Sequence, residues 1–90
     1  MDELYVTVVG TELIKSVEKI FEELGMKYDD FKKGSIGNMK TMVYTFVTEQ
    51  DHVIITRKKL MERIMMEPFK YTAMYVHGDW MRVFIFKKID

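Results

Sequence analysis

Apolar side chains recur at every second position near both ends of the chain, a period that is typical of β-strands. In residues 4–9 the even positions are leucine and valine and can line a core, while the odd positions point to the other side. Residues 71–77 and 80–87 divide in the same way. Neither side is polar, whereas a sheet with one face in water usually alternates apolar and polar residues. The pattern therefore predicts a sheet whose second face is covered by a partner, a ligand or another copy of the chain.

A helical period replaces the strand period between Thr11 and Leu24. Apolar residues recur there at spacings of three and four, and lysines and glutamates occupy the remaining face. Thr11 is expected to be the N-cap, and Gly25 the left-handed residue that follows the last turn. This segment predicts an amphipathic helix with one buried face.

The middle of the chain predicts two strands around a loop. Residues 26–33 are expected to form an edge strand, because Asp29 and Asp30 disfavour the interior of a sheet and point to opposite faces of a strand. Residues 34–38 are rich in turn-forming residues and are expected to be a loop. Residues 39–48 alternate regularly and are expected to form a central strand.

A second helix is predicted from Thr48, which begins an acidic capping box with Asp51, to the helix-breaking Pro68. The helical spacing places Met61 and Met65 in the core. The β-branched run 53–56 leaves an alternative open, a short strand followed by a helix that begins near Arg57.

The last two strands, residues 71–77 and 80–87, are predicted to form a hairpin across Gly78 and Asp79, since glycine suits the first central position of a type II′ turn. The order is then strand, helix, strand, strand, helix, strand, with an extra C-terminal strand. This order predicts one α+β domain over residues 1–90, a ferredoxin-like sandwich with two helices on one face of a mainly antiparallel sheet. A hydrophobic content of 48% is enough for one modest core.

The uncovered sheet face is the first candidate site. Its aromatic residues and one histidine are expected to bind a partner, and they are Tyr5, Tyr71, Tyr75, His77, Trp80, Phe84 and Phe86. Nine methionines in 90 residues add adaptable side chains of the kind that suit a binding surface. The expected function is a non-enzymatic interaction module, of regulator or inhibitor type, that forms a homodimer or docks on another protein.

The glycine-containing loop is the second candidate site, and it would make the chain a phosphate-binding regulatory module. Glycines let backbone N–H groups approach an anion, and lysines surround them here. The residues concerned are Lys32, Lys33, Gly34, Ser35, Gly37 and Lys40. The loop joins two predicted strands, so it lacks the strand-to-helix context of a P-loop or a dinucleotide-binding motif.

Charge distribution gives a third, weaker feature. A basic patch is predicted on the second helix, formed by Arg57, Lys58, Lys59 and Arg63. The first thirty residues hold eight acidic and three basic residues, and this excess of acid is balanced by the rest of the chain. With no basic surplus overall, nucleic acid is not the favoured partner. Residues 4–6 resemble the first-strand signature of RNA-recognition motifs, but Thr41 and Val43 stand where the second signature has small, glycine-type residues.

The sequence contains few residues of the types that catalysis requires. The chain has no cysteine, two histidines and two serines, and they form no recognised catalytic or metal-ligating spacing. No cofactor or metal is therefore expected, and the alternative of a small dimeric α+β barrel enzyme would depend on His77, Asp79 and Trp80. The lack of cysteines, of a signal-peptide pattern and of a long apolar stretch predicts a cytoplasmic protein that does not enter a membrane.

Overall fold

A computed structural model describes residues 2–67, 72–76 and 79–86, and within these ranges the side chains of residues 50, 51, 72–76 and 79–81 are outside the description. The described elements, in chain order, are β1 (Asp2–Val9), α1 (Thr11–Glu23), β2 (Asp30–Ile36), β3 (Met39–Thr48), α2 (Gln50–Met65), β4 (Thr72–Val76) and β5 (Asp79–Phe86). This order confirms an α+β fold of the ferredoxin-like βαββαβ type with a further C-terminal strand.

The five strands form one sheet in the order β2-β3-β1-β5-β4. β1 pairs antiparallel with β3 and parallel with β5, and the two hairpins β2–β3 and β4–β5 are antiparallel. The extra strand β5 thus lies between β1 and β4, and β4 becomes an edge. The chain returns to the centre of the sheet with its last described strand.

The core lies between the sheet and the two helices. β1 contributes Leu4, Val6 and Val8, and β5 contributes Val83 and Ile85. None of these five side chains has exposed surface. Full burial of each such side chain stabilises the fold by about 1.5–3 kcal/mol. The helices and β3 complete the core with Leu13, Val17, Ile20, Phe21, Tyr44, Phe46, Val53, Leu60 and Ile64. The predicted core positions of β1 and α1 are therefore confirmed.

The ends of α1 confirm one prediction and correct another. Gly10, not Thr11, is the N-cap, and its φ of 107° and ψ of 134° are accessible to glycine but not to threonine without strain. Its N–H donates to the Lys40 carbonyl at 2.8 Å, so the strand-to-helix junction is tied to β3. Gly25 has a φ of 68° as predicted, and its N–H and that of Met26 close the helix in a Schellman pattern.

The start and the exposed side of α2 also differ from expectation. The N-cap is Glu49, without a side-chain cap, so the capping box predicted from Thr48 is wrong because Thr48 is still paired in β3. Residues 53–56 are helical, which excludes the alternative strand. Met61 packs partly buried against the core, but Met65 is 61% exposed. It lies outside the arc defined by Val53, Leu60 and Ile64, whose side chains are fully buried.

The predicted strand 26–33 and loop 34–38 are wrong in their boundaries. β2 begins at Asp30 and runs to Ile36, and only Gly37 and Asn38 form the turn. Gly37 has a φ of 60° while Asn38 keeps a negative φ, as a type II′ turn requires. Residues 26–29 instead carry the chain from the end of α1 to the sheet edge, where the Asp29 carboxylate accepts the Val47 N–H at 2.7 Å.

A buried hydroxyl links α1 to the sheet. Tyr44 has no exposed surface, and its hydroxyl donates to Glu18 Oε1 at 2.7 Å. Burial raises the pKa of Tyr44 above the ordinary value of 10.0, and the hydrogen bond and negative charge of Glu18 raise it further. Folding therefore favours the protonated phenol.

We expect Tyr44→Phe to lower the free energy of unfolding by about 1 kcal/mol near neutral pH, because the substitution removes one hydrogen bond. The group that loses its partner is the Glu18 carboxylate, which is exposed, so no buried polar group is left unpaired. In the native chain this contribution is complete below pH 10, where Tyr44 is protonated in both states, and it falls by about 1.4 kcal/mol per pH unit above it, as the unfolded phenol ionises. Urea unfolding of both proteins from pH 8 to 11 should therefore show the difference shrinking. A constant difference across that range would mean that Tyr44 titrates normally.

Candidate interaction surfaces

The sheet face opposite the helices, called the open sheet face below, brings apolar side chains from three adjacent strands together. The β1–β3 and β1–β5 registers place Thr7 between Val43 and Phe84 at its centre. These positions are half-buried rather than fully exposed. The face consists of Tyr5, Thr7 and Val9 on β1, Val43, Thr45 and Val47 on β3, and Phe84 and Phe86 on β5.

Charged groups border this apolar centre. The Arg82 guanidinium lies 5.4 Å from the centroid of the Tyr5 ring, and the Tyr5 hydroxyl donates to the Glu3 carboxylate. A cation over an aromatic ring contributes about 0.5–1 kcal/mol at an exposed site. Asp30 and Lys32 of β2 share the same face, since they pair with Thr45 and Val43. Two acids and two bases thus surround the described centre, so its charges balance.

Of the seven predicted partner-binding residues, Tyr5, Phe84 and Phe86 come together on the open sheet face. Tyr75 belongs to β4, where it pairs with Val83, and Trp80 belongs to β5, but their side chains are not described. Tyr71 and His77 lie outside the described residues. Their roles stay predictions.

The outer edge of β2, called the β2 edge below, is a second surface. All seven residues of β2 are exposed, because α1 lies over β1 and β3 and α2 lies over β1, β5 and β4. Phe31 is 46% exposed although its ring contacts Tyr28, with 5.9 Å between centroids, and Tyr28 in turn contacts the buried Tyr44 at 5.0 Å. An aromatic row therefore runs from the core to the sheet edge.

The backbone groups of the β2 edge alternate in direction. In a two-residue hairpin the closing pair, here Ile36 and Met39, is hydrogen-bonded, so even-numbered residues of β2 bond to β3 and odd-numbered ones point outward. Two carbonyl groups of β3 agree with this alternation: that of Thr45 points toward β2, and that of Lys40 points away from β2 and accepts the Gly10 N–H. Asp29, which precedes β2, does not follow it, because its N–H points inward and donates to the Thr45 carbonyl. The outward N–H of Phe31 donates to Asp30 Oδ1 at 2.8 Å.

The residues predicted to hold an anion divide between two faces. Lys33 and Lys40 lie on the helix side, where they line a groove of about 450 Å³ with Lys15 and Thr11 of α1. Lys32 lies on the opposite face. Gly34 and Ser35 also line this groove, but they are strand residues, so their backbone follows the sheet ladder and does not form a loop. Gly37 alone belongs to the turn.

The basic residues of α2 do not form one patch. Successive residues of a helix point about 100° apart, so Arg57, Lys58 and Lys59 face three directions. Arg63 forms ion pairs with Glu23 at 3.1 Å and Glu67 at 2.7 Å. Hydrogen bonds to Glu67, and then to Glu23, raise the pKa of Arg63. Through these two ion pairs, Arg63 of α2 links α1 to Glu67, which follows α2.

Two exposed features escaped the sequence analysis. On α2, Ile54, Ile55 and Met66 are exposed together with Met65, and the helical wheel would have shown that they fall beside or opposite the core arc. On β2, the order of charges around Phe31 is symmetric, with Asp30 before it and Lys32 after it. The predicted strand 26–33 already contained this pattern, so the sequence alone could have shown it.

Comparisons of the chain with protein-family models, curated proteins and solved structures give no match. No helix in the described residues is long and apolar enough to cross a membrane. In the same part of the chain, no three histidine, aspartate or glutamate side chains gather closely enough to hold a metal ion.

Proposed function

We propose that this chain is a non-enzymatic interaction module of the regulator or inhibitor type, which self-associates through the open sheet face. The observation that carries the proposal is the cluster of Tyr5, Thr7, Val43 and Phe84 at the centre of a face that no element of the described chain covers. A sheet face in permanent contact with water would alternate with polar side chains at these positions.

The described apolar face has the size of a weak, reversible contact. Its three strands, about 4.8 Å apart and about seven residues long, cover roughly 330 Å². Two copies packed face to face would remove about 660 Å² from water, which lies below the roughly 1,000 Å² of a stable interface and in the range of transient association. Packed sheets of this kind lie about 10 Å apart with their side chains interdigitated.

The charges favour a second copy over a polyanion. Glu3 and Asp30 balance Lys32 and Arg82 around the apolar centre, so two identical faces do not repel each other through net charge. Nucleic acid would require a surplus of positive charge on this face. Two-fold symmetry also lets one patch serve both partners, since the same surface is used twice.

We expect Phe84→Asp to raise the dimer Kd at least about 100-fold, because a carboxylate at the centre of the face would have to lose its water without a partner. Thr7→Lys should act in the same way with little loss of packing, which keeps the test valid if Phe84→Asp unfolds. Sedimentation velocity across protein concentration measures the Kd, and circular dichroism checks the helices.

The matched control is Ile55→Asp, which makes a comparable apolar-to-acidic change on the exposed side of α2. It should leave the Kd unchanged. If Ile55→Asp dissociates the protein while Thr7→Lys does not, the interface lies on α2 and the proposal is wrong. A wild-type protein that stays monomeric at millimolar concentration would also contradict it.

A second candidate function, binding of a phosphate-containing ligand, is supported by the groove beside α1. Lys15, Lys33 and Lys40 line it together with Thr11, and their ammonium groups are suitable donors to phosphate oxygens. The groove differs from the loop predicted from the sequence, since Lys32 does not take part.

Inorganic pyrophosphate is a suitable probe of this groove. At 100 times its Kd a bound ligand stabilises the fold by about 2.7 kcal/mol, which raises the Tm of a domain of this size by roughly 15 °C. We expect Lys33→Ala and Lys40→Ala to remove most of that rise, whereas Lys32→Ala, on the other side of β2, should retain it. An equal response in all three variants would exclude the groove.

A further inference from the structure

We propose that the β2 edge pairs antiparallel with the β2 edge of a second copy, in a register centred on Phe31. This contact is separate from the open sheet face, because it lies in the plane of the sheet and uses backbone groups. Three independent features of β2 determine it: exposed backbone groups, a restricted register and a symmetric order of charges.

The exposed backbone provides the first feature. Nothing in the described chain covers β2 on its outer side, and its odd-numbered residues direct their N–H and C=O groups outward. Such an edge is a template for another strand. The outward N–H of Phe31 is already hydrogen-bonded to the Asp30 carboxylate, so an incoming strand has to displace that side chain. The displaced carboxylate is then available to a partner.

The alternation of outward and inward backbone groups along β2 restricts the register. Only odd-numbered residues present outward groups, so an antiparallel copy must place odd residues opposite odd residues. The two copies can therefore be centred on any residue of β2 from Asp30 to Ile36, which then faces its own copy, but not between two residues.

Charge selects one of these registers. Centring on Phe31 places Asp30 opposite Lys32 of the second copy, and the two-fold axis repeats this pair. Asp29 takes no part, because it precedes β2 and both its N–H and its carboxylate bond to β3. Centring on Asp30, Lys32 or Lys33 places a charge directly opposite its own copy, which is unfavourable. Centring on Gly34, Ser35 or Ile36 avoids that repulsion but places no acid of β2 opposite a base of β2. Only the register centred on Phe31 therefore pairs opposite charges of the two strands.

The side chains fit this register. The exposed Phe31 ring meets its own copy at the two-fold axis, which joins the aromatic rows of the two molecules. Asp30 and Lys32 face the open sheet side, while Phe31 and Lys33 face the helix side. The paired charges therefore lie on the open side of the contact, and the Phe31 rings lie on its helix side.

A charge exchange tests the proposal on two exposed residues. We expect Asp30→Lys and Lys32→Asp each to weaken the edge contact at least about tenfold, because each replaces two attractive cross-strand pairs with two repulsive ones. An equimolar mixture of the two variants should associate as well as the wild type, since every introduced charge then faces its opposite. The double variant Asp30→Lys/Lys32→Asp should also recover.

Sedimentation velocity is performed on these variants in a Thr7→Lys chain, so that the open-face contact does not contribute to the mass. Failure of the open-face proposal leaves this readout intact, because the edge contact is measured without it. If both single variants associate like their parent, or if the mixture and the double variant do not recover, the inference is wrong.

A cysteine scan reads the register directly, since the chain contains no cysteine. In the proposed register the two Phe31 Cα atoms are about 5.5 Å apart, a separation that a disulfide spans. Phe31→Cys should therefore form a covalent dimer under mild oxidation. Ser35→Cys is the control, because its two copies would lie about 27 Å apart along the strands. Cross-linking at Ser35→Cys but not at Phe31→Cys would contradict the register.

Discussion

The central position of β1 is the constraint on which the other features depend. Leu4, Val6 and Val8 are completely buried under the helices, and a shift of one residue in the pairing of β1 would turn all three to the other face. Each would lose about 1.5–3 kcal/mol of burial, so the register is fixed firmly. With that register, Tyr5 and Thr7 must lie on the open sheet face. The apolar second face is thus a direct consequence of a strand that is apolar on both sides.

The insertion of β5 next to β1 decides what surrounds that strand. A hairpin pattern predicts that β4 and β5 pair with each other, but it does not say which of them meets β1, because both segments are apolar on both sides. Packing decides it: Val83 and Ile85 fill the space under α2, and they are completely buried. As a result Phe84 lies next to Thr7 at the centre of the sheet. The aromatic content of the open face therefore depends on a long-range choice of partner strand.

Sequence periodicity predicted the type and order of the elements, and errors arose where local signals compete with tertiary contacts. Thr11 is the better N-cap by residue preference, yet Gly10 occupies that position because the junction with β3 demands a positive φ. The aspartates indicated an edge strand correctly, but the strand begins four residues later than expected, at Asp30, and ends three residues later, at Ile36. The later end places Gly34 and Ser35 in the strand and not in the loop. Both the anion groove and the β2 edge became visible only with the pairing of β2 and β3.

The two proposed contacts are geometrically compatible and physically different. A two-fold axis normal to the sheet joins the β2 edges with both helix layers on the same side, so the open faces of the two molecules adjoin and can dock on a second pair together. Docking of a joined pair engages two faces at once, which strengthens it through effective concentration. The edge contact depends on exposed ion pairs and weakens with salt, whereas burial of apolar side chains does not. Added salt would then weaken assembly through the β2 edge, although the open sheet face provides the larger apolar area.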